Sequence, residues 1–329
     1  MTITTTGQPT TSQTQWLDAV QPQIKLVEAR MLERAQMGHG TLDDAISLLI
    51  QAGGKRLRPA ITLLTGRLLG AELDALVSVA ASVELLHTAT LVHDDLVDGA
   101  ETRRGMPTLH SQYSAGVTVL TGDFLFAQAA HLAAEANNVA VVQLFAETLV
   151  RIVKGEIVQA QTRWQVPEYD VYIERIYGKT AALFEAAAES AALVAGSAPR
   201  QRAALARYGR LLGLGFQIID DALDFLGTNA SLGKPAGNDM RQGIFNLPVL
   251  FYVQQGHMSA TELTERVANG EGLADLVADM RAAGVVEQSI NAGQNYAQQA
   301  LAELELLGQP DEALELLTQI TAYAVARSS

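Results

Sequence analysis

The stretch ELLHTATLVHDDLVD (residues 84–98) and its counterpart FQIIDDALD (residues 216–224) decide the fold class of this chain. In each stretch, two adjacent aspartates and a third one, three positions further on, interrupt an apolar run. The apolar residues recur with the period of a helix, and a helix brings residues four positions apart onto one face. We therefore predict two long apolar helices, each with acidic groups on one side.

The rest of the chain also favours helices. From Trp16 onward the sequence is rich in Ala, Leu, Glu and Gln, and alternating runs of β-branched residues are few. The segment GVTVLTGDFLF (residues 116–126) has strand-like residues at its start, but an isolated short strand would have no pairing partner. We therefore assign this segment to a helix as well. The same composition predicts continuous helices over residues 168–195 and 239–256. The predicted fold class is all-α.

Length and composition favour one domain. With 329 residues, of which 48% are hydrophobic, the chain can bury a large core, and no linker rich in proline, glycine or charge divides its middle. The start, MTITTTGQPTTSQTQ, is a low-complexity run of threonine and glutamine. We predict a disordered leader at residues 1–14 and one domain at residues 15–329.

The composition also excludes several classes of protein. The chain has no cysteine, which excludes disulfides and thiolate chemistry and fits a reducing compartment. Its net charge of −13 argues against a nucleic-acid partner. The start lacks the basic and apolar regions of a secretory signal, and we expect no membrane span, because the long apolar runs contain charged or strongly polar residues. We expect a cytoplasmic protein.

The two acidic clusters predict a metal site. Like charges at this spacing repel each other, and their desolvation is costly unless cations neutralise them. Carboxylates suit Mg²⁺, which commonly links one or two acidic side chains to the oxygens of a substrate phosphate. A solvated acidic face is the ordinary alternative for a single cluster, but both clusters lie inside apolar runs. We therefore predict that Mg²⁺ is bound by Asp94, Asp95, Asp98, Asp220, Asp221 and Asp224.

Cationic residues lie near the acidic clusters in the sequence. Lys55 and Arg58 come just before or at the start of a predicted helix, where the helix dipole also favours an anion. Arg103 and Arg104 follow the first acidic cluster closely enough for their guanidinium groups to bind a phosphate. Further along the chain, Lys179, Thr180 and Lys234 add donors. These groups predict that the ligand is an anion.

His87 lies seven residues before Asp94, on nearly the same helix face. Its imidazole either donates a hydrogen bond to a phosphate oxygen or is a satisfied core histidine. Because the other helices are apolar, the acids and cations would line the mouth of an otherwise apolar cavity, which both acidic clusters would face. Such a cavity suits a substrate with a diphosphate head and a hydrocarbon tail.

From about Gly53 to Pro248 the sequence resembles the trans-isoprenyl diphosphate synthases, also called polyprenyl synthetases. The motifs occur in the order of that family: GGKRLRP, ELLHTATLVHDDLVD, RRG, GDFLFAQA, YGKTAALF, FQIIDDALDFLG and LGKPAGNDMRQG. The resemblance implies a bundle of antiparallel helices around a central apolar cavity, usually as a homodimer. It also implies a prenyltransferase of isoprenoid biosynthesis that uses two or three Mg²⁺ ions.

The resemblance assigns roles to the charged residues. Asp224 would act on its metal through water, while the other five aspartates bind directly. The diphosphate of the allylic substrate would be held by Arg103, Lys179 and Lys234. That of isopentenyl diphosphate would be held by Lys55, Arg58, His87 and Arg104. Thr180 and Gln217 would line the reacting centre, where their oxygen dipoles stabilise positive charge on carbon.

The chain departs from the family at one motif. Many relatives have Gly-Lys-x-Thr-Leu-Pro where this chain has GIFNLP (residues 243–248), so Ile244 replaces the lysine and Asn246 the threonine. A contact from that lysine to the allylic diphosphate cannot be carried over to this chain.

The resemblance also implies that the first aspartate helix limits product length. One helical turn advances about 5.4 Å, which is near the length of an isoprene unit. Short-chain relatives have aromatic residues four or five positions before the first aspartate, where this chain has Thr90 and Ala89. Ser82 is also small, whereas Leu85 or Leu86 could form a floor. We expect geranylgeranyl diphosphate or longer, with heptaprenyl to decaprenyl favoured.

Three other functions share parts of this sequence pattern. A class I terpene cyclase usually has one aspartate triplet and an aromatic pocket, but aromatic residues are only 5% of this chain. A head-to-head condensing enzyme would favour a different aspartate spacing. A catalytically silent regulatory subunit of a heteromeric synthase usually loses an aspartate motif or the basic residues, and this chain has both.

The sequence leaves open the allylic primer, the final product length, and whether the pathway serves quinones, carotenoids or lipids. We also expect no stable membrane attachment beyond a transient contact for product release.

Overall fold

The computed structural model describes residues 15–227, 236–308 and 311–326. The predicted leader at residues 1–14 and the candidate ligand Lys234 lie outside these ranges. The described residues are mainly α-helical, which confirms the all-α class. The helices are α1 (Gln15–Arg34), α2 (Thr41–Gln51), α3 (Leu57–Leu68), α4 (Leu73–Val97), α5 (Leu109–Gln112), α6 (Ala115–Glu135), α7 (Val139–Gln161), α8 (Tyr169–Ile176), α9 (Ala182–Val194), α10 (Pro199–Leu223), α11 (Asn238–Arg241), α12 (Leu247–Gln254), α13 (Ala260–Asn269), α14 (Leu273–Ala282), α15 (Val285–Glu305) and α16 (Glu312–Val325).

Most of the predicted helices are confirmed, including the one with strand-like residues at its start. That helix, α6, begins at Ala115, and the hydroxyl of Ser114 accepts a hydrogen bond from the Val117 backbone N–H. This cap satisfies one of the N–H groups that a helix start leaves without an internal partner. The local cap therefore overrides the β preference of the residues that follow it.

Three local features differ from the sequence-based prediction. A π-helix (Tyr177–Ala181) separates α8 from α9 where one continuous helix was expected. The helix predicted over residues 239–256 is interrupted between α11 and α12, because Gly243 has a φ of 76°. A short antiparallel pair, β1 (Thr102–Arg103) and β2 (Met106–Pro107), was not anticipated.

The chain divides into two compact units. Unit 1 takes its described residues from the ranges 15–147, 186–206 and 308–320, and unit 2 from 148–185, 207–307 and 321–326. The prediction of a single domain at residues 15–329 stays a prediction.

In unit 1, the core is built around α4. This helix is buried along most of its length and packs against α1, α3 and α6. The approach of α6 depends on Gly122, since a Cβ atom there would lie 2.1 Å from Nε2 of His93. The His93 ring also packs edge-on against Phe126. These contacts hold the end of α4 that carries the first acidic cluster.

In unit 2, two apolar clusters surround the end of α10. The first includes Phe225, Met240, Phe245 and Val249, which lie on or next to α10, α11 and α12. The second cluster joins α8, α10 and α12 and comprises Tyr172, Ile176, Ala181, Leu214, Ile218, Leu247 and Leu250. The apolar residues of FQIIDDALD therefore serve the core, which leaves its polar residues for the site.

Two helices of the described chain, α4 and α6, are long and apolar enough to cross a membrane by length and composition alone. Both apolar runs nevertheless contain a charged residue, Glu84 in α4 and Asp123 in α6, as expected from the sequence. In α4, 78% of the apolar window is buried, so its composition is that of a core helix. In α6, only 39% of the window is buried, and the rest of that helix lies on the surface.

Candidate active site

The first acidic cluster lies at the C-terminal end of α4. The helix ends at Val97, and Asp98 follows as its C-cap. Asp94 is half-buried, Asp95 is buried and Asp98 is exposed. The C-terminus of a helix carries a partial negative charge, which adds to the mutual repulsion of the carboxylates. This arrangement is unfavourable unless cations are present.

One of these carboxylates already has a cationic partner. Nε of Arg103 donates to Oδ1 of Asp95 at 2.7 Å. Burial raises the pKa of the Asp95 carboxyl, and the charge of Arg103 opposes that effect. Arg103 was predicted to bind the allylic diphosphate, and the structure places its guanidinium directly beside an acid of the first cluster. An incoming diphosphate would therefore meet Arg103 next to the predicted metal ligands.

The RRG motif forms the turn of the β1–β2 hairpin. Arg104 and Gly105 have φ values of 53° and 76°, so both central residues of the turn are left-handed. That conformation is common for glycine and costly for arginine, and strain of this kind concentrates at functional sites. The turn separates the two arginines: Arg103 pairs with Asp95, whereas Nη1 of Arg104 donates to the Ala52 carbonyl oxygen at 3.0 Å.

A second group of cations surrounds His87 in unit 1. Burial lowers the pKa of the His87 imidazole well below its ordinary value, and the charges of Arg58 and Arg104 lower it further. A cavity beside this ring is lined by Gly53, His87 and both arginines of the RRG motif. Lys55 is exposed in the turn just before Arg58. The neutral imidazole, with one N–H donor, suits an anion better than it suits an apolar core.

Arg56 is a residue of this turn whose role the sequence did not reveal. It stands between two predicted ligands, yet its side chain is buried and donates to Glu28, to Glu84 and to the Ile50 carbonyl oxygen. A Cβ atom on Gly53 would lie 2.1 Å from its guanidinium carbon. The signal available in the sequence was the acidic residue at position 84, which lies within a buried apolar helix and needs a cationic partner.

The second acidic cluster lies at the C-terminal end of α10, in unit 2. This helix ends at Leu223, so Asp220 and Asp221 lie in its last turn and Asp224 just beyond it. Asp220 is exposed, Asp221 is buried and Asp224 is half-buried. The two clusters thus share a placement at the negative end of a helix.

Hydrogen bonds fix both carboxylate oxygens of Asp221. The Tyr172 hydroxyl donates to Oδ2 at 2.8 Å, and Nε2 of Gln217 donates to Oδ1 at 2.7 Å. Burial, followed by the charge of Asp239, raises the pKa of Asp221 to about 7. The same two causes raise the pKa of Asp224 to about 6. In the metal-free protein, both groups therefore hold protons more readily than an ordinary aspartate.

Asp239 is an acid of this region that the sequence-based prediction missed. Its backbone N–H donates to Oδ2 of Asp224 at 3.1 Å, and its own Oδ2 accepts from Nδ2 of Asn246 at 2.9 Å. It stands in the motif LGKPAGNDMRQG, but outside the aspartate triplets on which the prediction rested. Asn246, one of the departures from the family pattern, is therefore tied to the second acidic cluster.

The π-helix carries Lys179 and Thr180. Nζ of Lys179 lies 3.1 Å from Oε1 of Glu156, and Oγ1 of Thr180 donates to Oε1 of Gln217 at 2.6 Å. A Cβ atom on Gly155 would lie 2.7 Å from the Lys179 backbone nitrogen, so α7 and the π-helix approach closely. π-bulges of this kind occur frequently at functional sites. The π-helix therefore carries Lys179, a predicted diphosphate ligand, next to Thr180, whose hydrogen bond to Gln217 links the π-helix to α10.

The residues expected to limit product length are mostly buried along α4. Ala89 and Leu85 are fully buried, Leu86 nearly so, and Thr90 is half-buried. The Ser82 hydroxyl donates to the Ala129 carbonyl oxygen at 2.7 Å, so this residue faces α6. The role of these five positions in setting product length stays a prediction.

The donor set fits Mg²⁺ that is held jointly with a phosphate ligand. Within the described ranges, no three acidic or histidine side chains are arranged to hold a metal ion by themselves. Mg²⁺ usually keeps several waters and takes only one or two carboxylates together with substrate phosphate oxygens. Each cluster provides two acids that are exposed or half-buried, namely Asp94 and Asp98 in unit 1 and Asp220 and Asp224 in unit 2.

We expect the Mg²⁺ affinity of the second cluster to fall as the pH is lowered from about 8 to about 6. Asp221, with a pKa of about 7, and Asp224, with one of about 6, take up protons in this interval. A bound proton competes with the metal, and each proton displaced costs about tenfold in affinity per pH unit below the pKa. Calorimetric titration with MgCl₂ in the presence of inorganic diphosphate measures the affinity, and a variant that lacks the Asp221 carboxyl separates the protein's pH dependence from that of the diphosphate.

The control for this pH dependence is Asp221→Asn, which cannot take up the proton at that position. The variant should show a shallower dependence on pH than the original protein. A Mg²⁺ affinity that stays constant between the two pH values would contradict the predicted competition.

Three comparisons place these features beside known proteins. Residues 39–283, more than half of the chain, match the family model described as Polyprenyl synthetase. The chain is 37% identical over 309 residues to the heptaprenyl diphosphate synthase component 2 of Geobacillus stearothermophilus, covering 91% of this chain and 94% of that one. It is 34% identical over 310 residues to the octaprenyl diphosphate synthase of Escherichia coli, covering 92% and 94%.

Solved structures agree with the sequence relatives. A decaprenyl diphosphate synthase from Rhodobacter capsulatus superposes with a TM-score of 0.88 at 34% identity, covering 95% of this chain and 98% of that one. A polyprenyl synthase from Caulobacter crescentus, complexed with calcium and isoprenyl diphosphate, superposes with a TM-score of 0.90 at 34% identity. That superposition covers 98% of this chain and all of the other.

Proposed function

Because this chain belongs to the polyprenyl synthetase family and is a prenyltransferase, we propose that it joins isopentenyl diphosphate head-to-tail to an allylic diphosphate. The product is a trans-polyprenyl diphosphate. The proposal rests on one observation, the contrast between two acidic clusters at helix ends and a group of cations around His87. The acidic clusters at two helix ends suit a diphosphate that arrives with Mg²⁺, and the cations around His87 suit one that is bound directly. A condensing enzyme needs a site for each substrate.

The six aspartates of the two clusters would hold two or three Mg²⁺ ions. When bound, Mg²⁺ acts as a Lewis acid that stabilises the negative charge developing on the departing diphosphate. Asp221 would be the best-oriented ligand, because Tyr172 and Gln217 fix its carboxylate. Asp224 is held by a backbone N–H and would act through water.

Cations of the chain would also bind the diphosphate of the allylic substrate. Arg103, beside Asp95, would donate to it, and Lys179 would exchange its partner Glu156 for a phosphate oxygen. Lys234 would add a third cation. The remaining cations, Lys55, Arg58 and Arg104, together with the neutral His87, would bind isopentenyl diphosphate without a metal.

The reaction follows as ionisation, condensation and elimination. The allylic C–O bond breaks, its electron pair leaves with the diphosphate oxygen, and positive charge develops on carbon. The hydroxyl oxygen of Thr180 and the amide oxygen of Gln217, which are already hydrogen-bonded to each other, would stabilise that charge by their dipoles. The isopentenyl double bond then supplies the electron pair of the new C–C bond, and alignment of the two carbons provides much of the rate.

Elimination completes the reaction. The condensed cation loses a proton to form a double bond, and the released diphosphate accepts it, because no predicted site residue is an evident base. Water has to be excluded from the reacting centre until then, since it would capture the cation as an alcohol.

We further propose a product of heptaprenyl to decaprenyl length. The support is the lack of bulk at Ala89 and Thr90, just before the first aspartate on α4. The names of similar proteins agree, since they include heptaprenyl, octaprenyl and decaprenyl diphosphate synthases. Leu85 and Leu86, one turn deeper, would be the first large side chains met by the growing chain.

A homodimer is the proposed assembly. α7 exposes aliphatic side chains at a spacing of three, four or eight residues, which puts them on one helix face: Val139, Val142, Val150, Val153 and Ile157. The α6 surface also exposes Val117, Val119 and Leu120. An exposed apolar helix face of this kind often marks a protein–protein interface. A second copy of the chain is the partner that the family resemblance implies.

We expect the double variant Val153→Glu with Ile157→Glu to convert the dimer to a monomer. Each change places a charge on a face that the dimer would remove from water, and an unpaired buried charge is strongly destabilising. Light scattering after size exclusion gives the mass. Leu306→Glu is the matched control, since Leu306 is an equally exposed aliphatic residue on neither helix. Unchanged mass in the double variant would exclude α7 as the interface.

A cytoplasmic location is proposed because the absence of cysteine fits a reducing compartment. The apolar product would require only transient contact with a membrane at release, and no nucleic acid is involved. Cell fractionation tests the location: recovery of the protein in the membrane fraction after a high-salt wash would contradict it.

The proposed activity is tested by incubating the purified chain with farnesyl diphosphate, radiolabelled isopentenyl diphosphate and Mg²⁺. Chromatography of the dephosphorylated product should show one main polyprenol of heptaprenyl to decaprenyl length. A cyclic or head-to-head product would support one of the other enzyme classes. Absence of product would favour a silent subunit. One relative is named component 2 of a heptaprenyl diphosphate synthase, a name that indicates an enzyme with more than one component.

A further inference from the structure

Arg175 is a buried cation of α8 to which no sequence motif pointed. The residue is 3% exposed, and its Nη2 donates to the Phe245 carbonyl oxygen at 2.9 Å and to Oδ1 of Asn246 at 2.7 Å. Burying a guanidinium is costly, and the usual compensation is a set of hydrogen bonds and nearby opposite charge. The position of this cation in unit 2 therefore needs a physical explanation.

The first branch from Arg175 leads through Asn246 to the acids. A guanidinium has only donors, so the amide oxygen of Asn246 has to face it. This orientation turns Nδ2 of Asn246 toward Oδ2 of Asp239, at 2.9 Å. The backbone N–H of Asp239 in turn donates to Oδ2 of Asp224. Arg175 thus determines which end of the Asn246 amide meets the carboxylate.

The second branch passes through an aromatic ring. The Arg175 guanidinium lies over the ring of Tyr172, with its carbon 5.4 Å from the ring centre. The Tyr172 hydroxyl donates to Oδ2 of Asp221 at 2.8 Å. A cation over the ring restricts the ring's position, and the ring's position sets the direction of the hydroxyl. Both branches therefore end on acids of the second cluster.

We propose that Arg175 is a positioning residue for the second aspartate cluster. It fixes Asn246 and Tyr172, and through them it aims Asp239, Asp224 and Asp221 at a diphosphate held with Mg²⁺. This inference rests on the proposed function, because it assumes that the cluster binds such a ligand. Arg175 itself touches neither metal nor substrate. The alternative is a purely structural role, in which Arg175 only fastens the segment before α12 to α8.

The decisive comparison uses Arg175→Met, which keeps most of the side-chain volume and removes every donor. The probe is inorganic diphosphate with MgCl₂, titrated calorimetrically into the purified full-length protein. Partners of this kind commonly change metal affinity or activity by about 10- to 100-fold, and we expect a loss of that size. In steady-state assays, the KM for the allylic substrate should rise, while the KM for isopentenyl diphosphate stays unchanged.

Arg207→Met is the matched control. Arg207 lies in the same unit and makes an exposed ion pair with Glu303, so its loss removes the same type of side chain from the surface. This variant should bind diphosphate with Mg²⁺ as the original protein does. A loss equal to that of Arg175→Met would show that any arginine of this unit matters, and would overturn the specific role.

Asn246→Leu tests the same relay while leaving Arg175 in place, and it carries the test alone if Arg175→Met does not fold. Because Asn246 acts on the acids only as one branch of the relay from Arg175, the double variant should lose no more affinity than Arg175→Met alone. Additive losses, or original affinity combined with a lower melting temperature, would show a structural role only. A chain that binds diphosphate with Mg²⁺ but forms no product would contradict the proposed function and leave this comparison valid.

Discussion

Replacing Asp94 with asparagine should lower kcat by about 10²- to 10³-fold, the range typical of losing one electrostatic contact to the transition state. Asp94 lies in the last turn of α4, half-buried and next to Asp95 and Asp98. The variant keeps the shape of the side chain and loses the charge that binds Mg²⁺. Product assays at saturating substrate measure the fall in turnover. Asp220→Asn, at the corresponding place on α10, should behave in the same way.

The free energy of unfolding of Asp94→Asn should rise, although its kcat falls. Without metal, Asp94 adds negative charge to the negative end of a helix, so its neutralisation should stabilise the fold by about 0.3–1 kcal/mol. Thermal unfolding in the presence of a chelator measures this. The control is Asp18→Asn, which removes an exposed acid from the first turn of α1, where negative charge is favourable. If Asp94→Asn retained full turnover, the assignment of this cluster to the metals would be wrong.

The second large effect is expected on product length. Ala89→Phe should shorten the main product to farnesyl or geranylgeranyl diphosphate, because an aromatic ring would block the path of the tail along α4. Chromatography of the dephosphorylated product measures the length. Ala89 is fully buried, so the larger side chain can also destabilise the fold, and overpacking of this kind commonly costs about 1–3 kcal/mol.

Two further variants separate the length effect from overpacking. Thr90→Phe, at a half-buried neighbouring position, should shorten the product with less strain. Ala89→Ser adds a single oxygen and should leave the product unchanged. A folded Ala89→Phe enzyme that still makes the original product would refute the role of this position.

The fold class could be predicted because it depends on local pattern. Helical periodicity and composition identified the two aspartate helices. The helix α6 was assigned because a short isolated strand would lack a pairing partner, and the Ser114 cap outweighs the β preference of Val117 and Val119. The interruption between α11 and α12 was missed because Gly243, although visible as a glycine, reveals its positive φ only in three dimensions. The π-helix was missed because one extra residue per turn leaves hardly any trace in the hydrophobic pattern.

The candidate site could be predicted in its residue types and only partly in its geometry. In the turn at residues 53–59, Lys55, Arg56 and Arg58 look alike in the sequence, yet the side chain of Arg56 is buried against Glu84. Which cation is buried depends on an acid 28 positions away, and no local pattern encodes that pairing. The same holds for Arg175 and Asp239, whose partners come from other helices.

The placement of both acidic clusters at helix C-termini gives a physical reason for the metal dependence that we propose for them. Val97 ends α4 and Leu223 ends α10, so the helix dipoles add to the repulsion among the carboxylates. A bound cation relieves both effects at once. The residues around His87 carry an excess of positive charge instead, and a bound anion would neutralise that excess without a metal. The two sites therefore should differ in their need for Mg²⁺.

The most direct test of this difference is calorimetric titration of each substrate alone, once with Mg²⁺ and once with a chelator. We predict that isopentenyl diphosphate binds in both conditions, and that an allylic diphosphate binds only with Mg²⁺. Arg104→Met should weaken the first binding and spare the second, whereas Asp220→Asn should do the reverse. If both substrates required Mg²⁺, or both bound equally well without it, the division into a metal-held and a cation-held diphosphate site would be contradicted.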